Sequence, residues 1–136
     1  MATVKPSTGA NPVPYGFQAV AALSTNADGN TGADIIETQG LVPFGMHLSS
    51  GSTDANYSFK GAIDSTANLR TVLGSTGNIL TVGSTVAGLM NDRVLAFGSS
   101  VIESLRGLRY VQIQSGTTVA PIANATGASA KMFFRK

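Results

Sequence analysis

One histidine, seven acids and no cysteine are the raw material this chain offers for chemistry. The histidine, His47, lies in "LVPFGMHL", where Val42, Phe44, Met46 and Leu48 alternate to one face and leave it on the other. A hydrolytic triad needs an imidazole, a carboxylate to orient it and a nucleophile for it to activate. A lone histidine on the polar face of a strand is ordinarily solvated, so no catalytic residue is assigned and no enzyme is expected. The lack of cysteine removes disulfides, thiolate metal sites and a thiol nucleophile. The acids are thinly spread and mostly lie in turn clusters, where an Asp commonly bonds its own backbone; that suffices for Asp28, Asp54 and Asp92.

One metal pattern presents itself. "NADGNTGADIIE" puts Asn26, Asp28, Asn30, Asp34 and Glu37 at first, third, fifth, ninth and twelfth positions of a calcium loop, with Gly32 at the seventh. The sixth-position glycine is replaced by Thr31, and the flanks read as strands where helices are required. No metal and no cofactor is assigned. Phosphate loops are absent: "GSTGN" has the glycines without the lysine or the following helix, and reads as a hairpin turn. Sugar binding would use Tyr15, Tyr57 and Tyr110, since there is no Trp, yet each tyrosine also fits a strand pattern. "NYS" and "NAT" match the glycosylation pattern but carry little weight without a secretory signal.

The elements that would position these residues are short strands. At 136 residues the chain is one domain by default, and its 16 glycines among many Ser, Thr, Asn and Ala favour turns over long helices. Residues 1–14 read as an extended arm, with Pro6, Pro12 and Pro14 fixing φ in polar surroundings, available to lie on a neighbouring subunit. Strand signals then recur through residues 15–136. Tyr15, Phe17, Ala19, Ala21 and Leu23 share a face; Pro43 marks an edge or a bulge; Tyr57, Phe59 and Ile63 point together. "LRTVLGSTGNILTVG" reads as a hairpin around residues 74–78. "SSVIESLRG" is the one helix candidate, with a Ser100–Glu103 capping box and a stop at Gly107. Val111 and Ile113 point inward and Gln112 and Gln114 outward. In "SAKMFFR", Ala130, Met132 and Phe134 face one way and Lys131, Phe133 and Arg135 the other, so Phe133 is covered by a loop or meets another subunit. Roughly eight strands make an all-β sandwich or jelly roll with at most one short helix.

The net charge of +2 divides unevenly: residues 1–92 carry −3 and residues 93–136 carry +5. The cations are scattered, without the dense cluster a nucleic-acid binder needs, so no direct nucleic-acid contact is expected. No apolar run spans a bilayer, and the start has no signal-peptide pattern, which points to no membrane and a cytoplasmic site of synthesis.

The C-terminal half, "NDRVLAF" and then "IESLRGLRYVQIQSGTTVAPIANATGASAKMFFRK", resembles the closing strands of capsid cement (decoration) proteins of tailed bacteriophages. The resemblance covers about a third of the chain: a strand and turn in "LRGLRYVQIQSGT", a Pro-interrupted "VAPIAN" and a last strand ending in cations. It implies a virion protein on the outer capsid surface, made in the host bacterial cytoplasm. Its partners would be the major capsid protein and further copies of itself, as a homodimer or homotrimer. The surfaces expected to make contact are the arm (Val4, Lys5, Pro6, Val13, Pro14, Tyr15) and the outer face of the last strand (Lys131, Phe133, Arg135). A tail, fibre-base or head–tail joining protein and a carbohydrate-binding module are the alternatives.

Overall fold

A computed structural model describes residues 2–7 and 16–136. Within them the chain forms β1 (Thr3–Val4), β2 (Phe17–Ala22), β3 (Ile35–Glu37), β4 (Val42–Leu48) and β5 (Ala55–Ala62). Then follow β6 (Arg70–Thr71), β7 (Val82–Ser84), β8 (Arg93–Ala96), helix α1 (Ser99–Leu105), β9 (Tyr110–Ser115) and β10 (Ser129–Arg135). The strands make two sheets. One runs β1-β3-β9-β5-β6, with β7 also paired to β5; the other runs β2-β10-β4-β8. From β2 to β5 each strand passes to the opposite sheet, and so do β8, β9 and β10. A mostly-β, two-sheet sandwich follows.

Alternation explains how the core fills. Period-two apolar residues turn one face of each strand inward. Ala19 and Ala21 of β2, Met46 and Leu48 of β4, Tyr57 and Phe59 of β5, Val111 and Ile113 of β9, and Ala130, Met132 and Phe134 of β10 share one buried cluster. Burying each of the large side chains contributes about 1.5–3 kcal/mol. Phe97, just past β8, meets Phe59 edge-on with ring centroids 5.7 Å apart. The hairpin expected around residues 74–78 is present, closed by Gly74 N–H donating to Asn78 C=O at 2.8 Å.

Several expectations need correction. Ile63 lies beyond β5 and is 73 % exposed, out of line with Tyr57 and Phe59. The Ser100–Glu103 capping box does not form: Gly98 is the N-cap, without a side-chain cap, and Ser104 Oγ donates to Ser100 C=O. The stop at Gly107 is as expected, at φ +84°. Pro43 sits in β4, which lies between β10 and β8 and so is no edge strand. It does adjoin a bulge, since the β4–β10 register slips so that Phe133 faces Gly45 and Phe134 faces Pro43.

The expected arm divides. Residues 2–7 are extended but lie on the chain's own body. β1 pairs in parallel with β3, and Ser7 and Gln18 exchange backbone hydrogen bonds of 2.8 and 2.9 Å. The Asp34 carboxylate accepts from Ala2 N–H and Ala22 N–H, tying the segment to β2. Residues 8–14 of the arm lie outside the described residues.

Candidate functional site

The two sheets present very different outer faces. On the six-stranded sheet, Ser58, Lys60, Gln112 and Gln114 point away from the core, as their alternation demands. Ser58, Gln112 and Gln114 are nevertheless buried: residues 24–34 fold back across the two glutamines, and the Ser58 hydroxyl donates to Gly116 C=O at 2.8 Å. Gln112 Nε2 donates to the carbonyls of Asn30 (3.2 Å) and Ala33 (3.0 Å), and Gln114 Nε2 to that of Asp28 (3.4 Å). Ser115 N–H donates to Gly29 C=O at 2.9 Å. Gly29 lies so close to the sheet that a Cβ there would meet Ser115 O at 2.2 Å, and its φ is +78°. Only glycine allows that approach.

This strap is the segment with the calcium-like spacing, and its acids are already engaged. The Asp28 carboxylate accepts from Asn30 N–H, Thr31 N–H and the Thr31 hydroxyl. These bonds, led by the Thr31 hydroxyl, hold its pKa below the usual carboxylate range, with help from the charge of Lys60. Asp34 binds Ala2 and Ala22, while Glu37 lies 3.6 Å from Arg109. Among the described residues no group of three or more His, Cys, Asp or Glu converges as a metal site would require. The strap is a structural cover whose Asn, Asp and Gly make its turns.

The outer face of the four-stranded sheet has no such cover among the described residues. Across its strands run Val20, Lys131, His47 and Val94 in register, then Gln18, Phe133, Gly45 and Ala96. Val20 is 51 % and Val94 67 % exposed. The bulge turns Phe44 out of the inward set expected from alternation, and its ring lies 6.2 Å from that of Phe133. Phe133 faces Gly45 on one side and Gln18 on the other, and its half-buried ring lies beside that of Phe44. Neither ring belongs to the core cluster.

No family model, curated protein or solved structure matches this chain. What the face can do is therefore read from its own geometry. Val20 and Val94 stand on its two outer strands, with Lys131 and His47 between them and the Phe44–Phe133 pair beside that row; Arg135 lies at its end.

The other expected residues scatter. Lys131 and Phe133 come together on this face, and Arg135 is exposed at its end opposite Val42. Val4 packs against the core and Pro6 is buried, so both are taken up by the chain's own body, while Lys5 is exposed. Val13, Pro14 and Tyr15 lie outside the described residues. Tyr57 is wholly buried, its hydroxyl donating to Thr53 C=O at 2.7 Å, and burial pushes its phenol up to about 12. Tyr110 lies under Arg109, whose guanidinium is 5.1 Å from the ring centroid. These two tyrosines therefore make no shared sugar platform.

His47 has a partner that strand periodicity did not supply. Its Nε2 lies 2.7 Å from Asp92 Oδ1, in the turn leading into β8. No hydroxyl bonds its other ring nitrogen among the described residues, so the nucleophile of a triad is not assembled there. Phe44, Val20 and Val94 were missed as surface residues. Phe44 could not be found from period two, because the bulge resets the period at that residue.

Proposed function

We propose that this chain is a structural protein that works by contact, laying the open face of its four-stranded sheet on a repetitive protein shell. In that reading it decorates the outside of a tailed-phage capsid and binds across neighbouring major capsid protein subunits. The observation that carries it is the half-buried Phe44–Phe133 pair on the outer face of this sheet, with exposed Val20 and Val94 on the strands to either side. Paired aromatic rings beside exposed aliphatic side chains are residue types on which protein–protein contacts centre. A protein that binds only the closed shell stabilises it by mass action, and many weak contacts on one lattice add up.

The sheet connectivity is part of the proposal. We read it as a jelly roll, supported by β2-β10-β4-β8 in one sheet and β3-β9-β5-β7 in the other, two sets of four strands. Such a body is rigid enough to transmit load between the subunits it touches.

The test uses shells of the phage that encodes the chain, stripped of this protein and mixed with it again. Occupancy is read by quantitative mass spectrometry of sedimented particles. Phe44→Glu and Phe133→Glu should each reduce binding by about tenfold or more, the scale of a lost aromatic anchor. Unchanged occupancy with both substitutions would overturn the assignment of this face. Failure of the unaltered protein to sediment with shells would overturn the capsid reading itself.

A further inference from the structure

β8 is the longest strand edge that carries no other strand or bridge among the described residues. The outer edge of β2 is met by Ser7, and β6 and β7 are short pieces at the side of β5. Along β8, Arg93, Val94 and Ala96 are exposed. Phe97 N–H donates to Phe44 C=O at 3.0 Å, and β8 runs antiparallel to β4 with Leu95 facing Met46. Alternation then turns the N–H and C=O of Val94 and Ala96 away from β4, into open space.

Sheets ordinarily guard such an edge with a charge, a proline, a bulge or a covering segment. β8 has none of these at its centre, where the sequence is Val94-Leu95-Ala96. The one flanking cation, Arg93, is bent back on its own turn, with Nη1 at 3.4 and 3.2 Å from the carbonyls of Asn91 and Asp92. The edge is therefore apolar, unprotected and has its donors and acceptors already extended.

We propose that β8 pairs antiparallel with β8 of a second copy of this chain, about a twofold axis at Leu95. This register sets Val94 of one copy against Ala96 of the other and exchanges their outward N–H and C=O groups. A large side chain then sits beside a small one on the outer face, and the two half-buried Leu95 side chains meet on the inner side. Arg93 falls opposite Phe97, so no like charges confront each other. The two four-stranded sheets become one, and their open faces join without a break, doubling the surface that carries Phe44 and Phe133. A four-residue edge buries far less than the roughly 1,200 Å² of interfaces that hold unaided. The pairing is thus weak in dilute solution and populated where copies are crowded. It does not depend on what the open face binds.

The test is sedimentation equilibrium over a wide concentration range, together with amide hydrogen exchange of the unaltered protein. Dimers should appear at high concentration, with the Val94 and Ala96 amides becoming protected as they do. Ala96→Pro removes an N–H that the β4 ladder does not use, and proline is tolerated at such edge positions. It should weaken dimerisation by about tenfold or more, the loss expected when paired backbone groups are left without partners, and leave the monomer's circular dichroism unchanged. Val94→Pro is the second variant should the first not fold. A protein that stays monomeric throughout, or Val94 and Ala96 amides that exchange freely in a dimer, would overturn the proposal. So would a dimer that survives the substitutions.

Discussion

The outer faces of the two sheets start from the same alternation and end differently. On the six-stranded sheet the outward residues are Gln112, Gln114 and Ser58, and the chain supplies its own cover, strapped down through their side chains and backbone. On the four-stranded sheet the outward residues include Val20, Phe44, Phe133 and Val94, and no described segment covers them. Among the described residues the polar face is covered and the apolar face is not. This inverts what a monomer minimising exposed apolar surface would do, and it is the ground on which this face is proposed as the contact surface.

The comparison breaks first at Gly29. If the strap belongs to the fold, Gly29→Ala must be costly, because a methyl group there collides with the backbone of Ser115 and the φ of +78° disfavours any side chain. A loss of about 3 kcal/mol is expected, the scale of a forced backbone strain added to a steric clash. Urea denaturation measures it. A loss under about 1 kcal/mol, the ordinary cost of a point substitution, would mean the strap lifts easily, and the two faces would then not differ in kind.

A smaller effect comes from acid. The depressed pKa of Asp28 means that its carboxylate contributes stability that is complete above the ordinary carboxylate value of 3.8 and is lost as pH falls through its lower folded value. Asp54, which accepts from Gly88 N–H and Met90 N–H, follows the same sign in the loop before β8. Amides of Asn30 and Thr31 should therefore lose hydrogen-exchange protection below about pH 3.8 while those of β10 keep theirs. Asp28→Asn should remove most of that pH dependence from the strap and leave the Asp54 response intact. Protection of the strap that ignores pH would place its stability in its bonds to Gln112, Gln114 and the Ser115 backbone.

Much of this contrast was legible in the chain, though unevenly. The inward residues Phe17, Ala19 and Ala21 of β2, Tyr57 and Phe59 of β5, Val111 and Ile113 of β9, and Ala130, Met132 and Phe134 of β10 follow from period two, which Ile63 beyond the end of β5 does not keep. The outward position of Gln112 and Gln114 was equally plain, but their burial was not. It depends on a loop some 80 positions away in sequence, and hydrogen bonds of that reach leave no local pattern. The Asn-, Asp- and Gly-rich strap suggested ion ligands because the residues that make tight turns are also those that bind calcium. Only the geometry shows the carboxylates turned onto their own backbone. In β4 a single register slip was enough to move Phe44 from the expected core to the open face, beside a Phe133 whose outward position the sequence had already marked.

The smallest effect on stability is expected at Phe133, and its smallness is what matters. The ring is half-buried, touches Phe44 and lies outside the core cluster, whereas Phe134 next to it is wholly buried. Phe133→Ala should cost at most about 1 kcal/mol, the range of a partly exposed aromatic pair. A double substitution with Phe44→Ala should cost little more than either alone, because each ring's main partner is the other. Urea denaturation of the two single variants and the double variant measures both quantities. A ring that contributes this little to the fold is free to serve the contact proposed for this face. Should Phe133→Ala instead cost several kcal/mol, the ring would belong to a second core, the face would not be bare in solution, and the asymmetry between the two sheets would disappear.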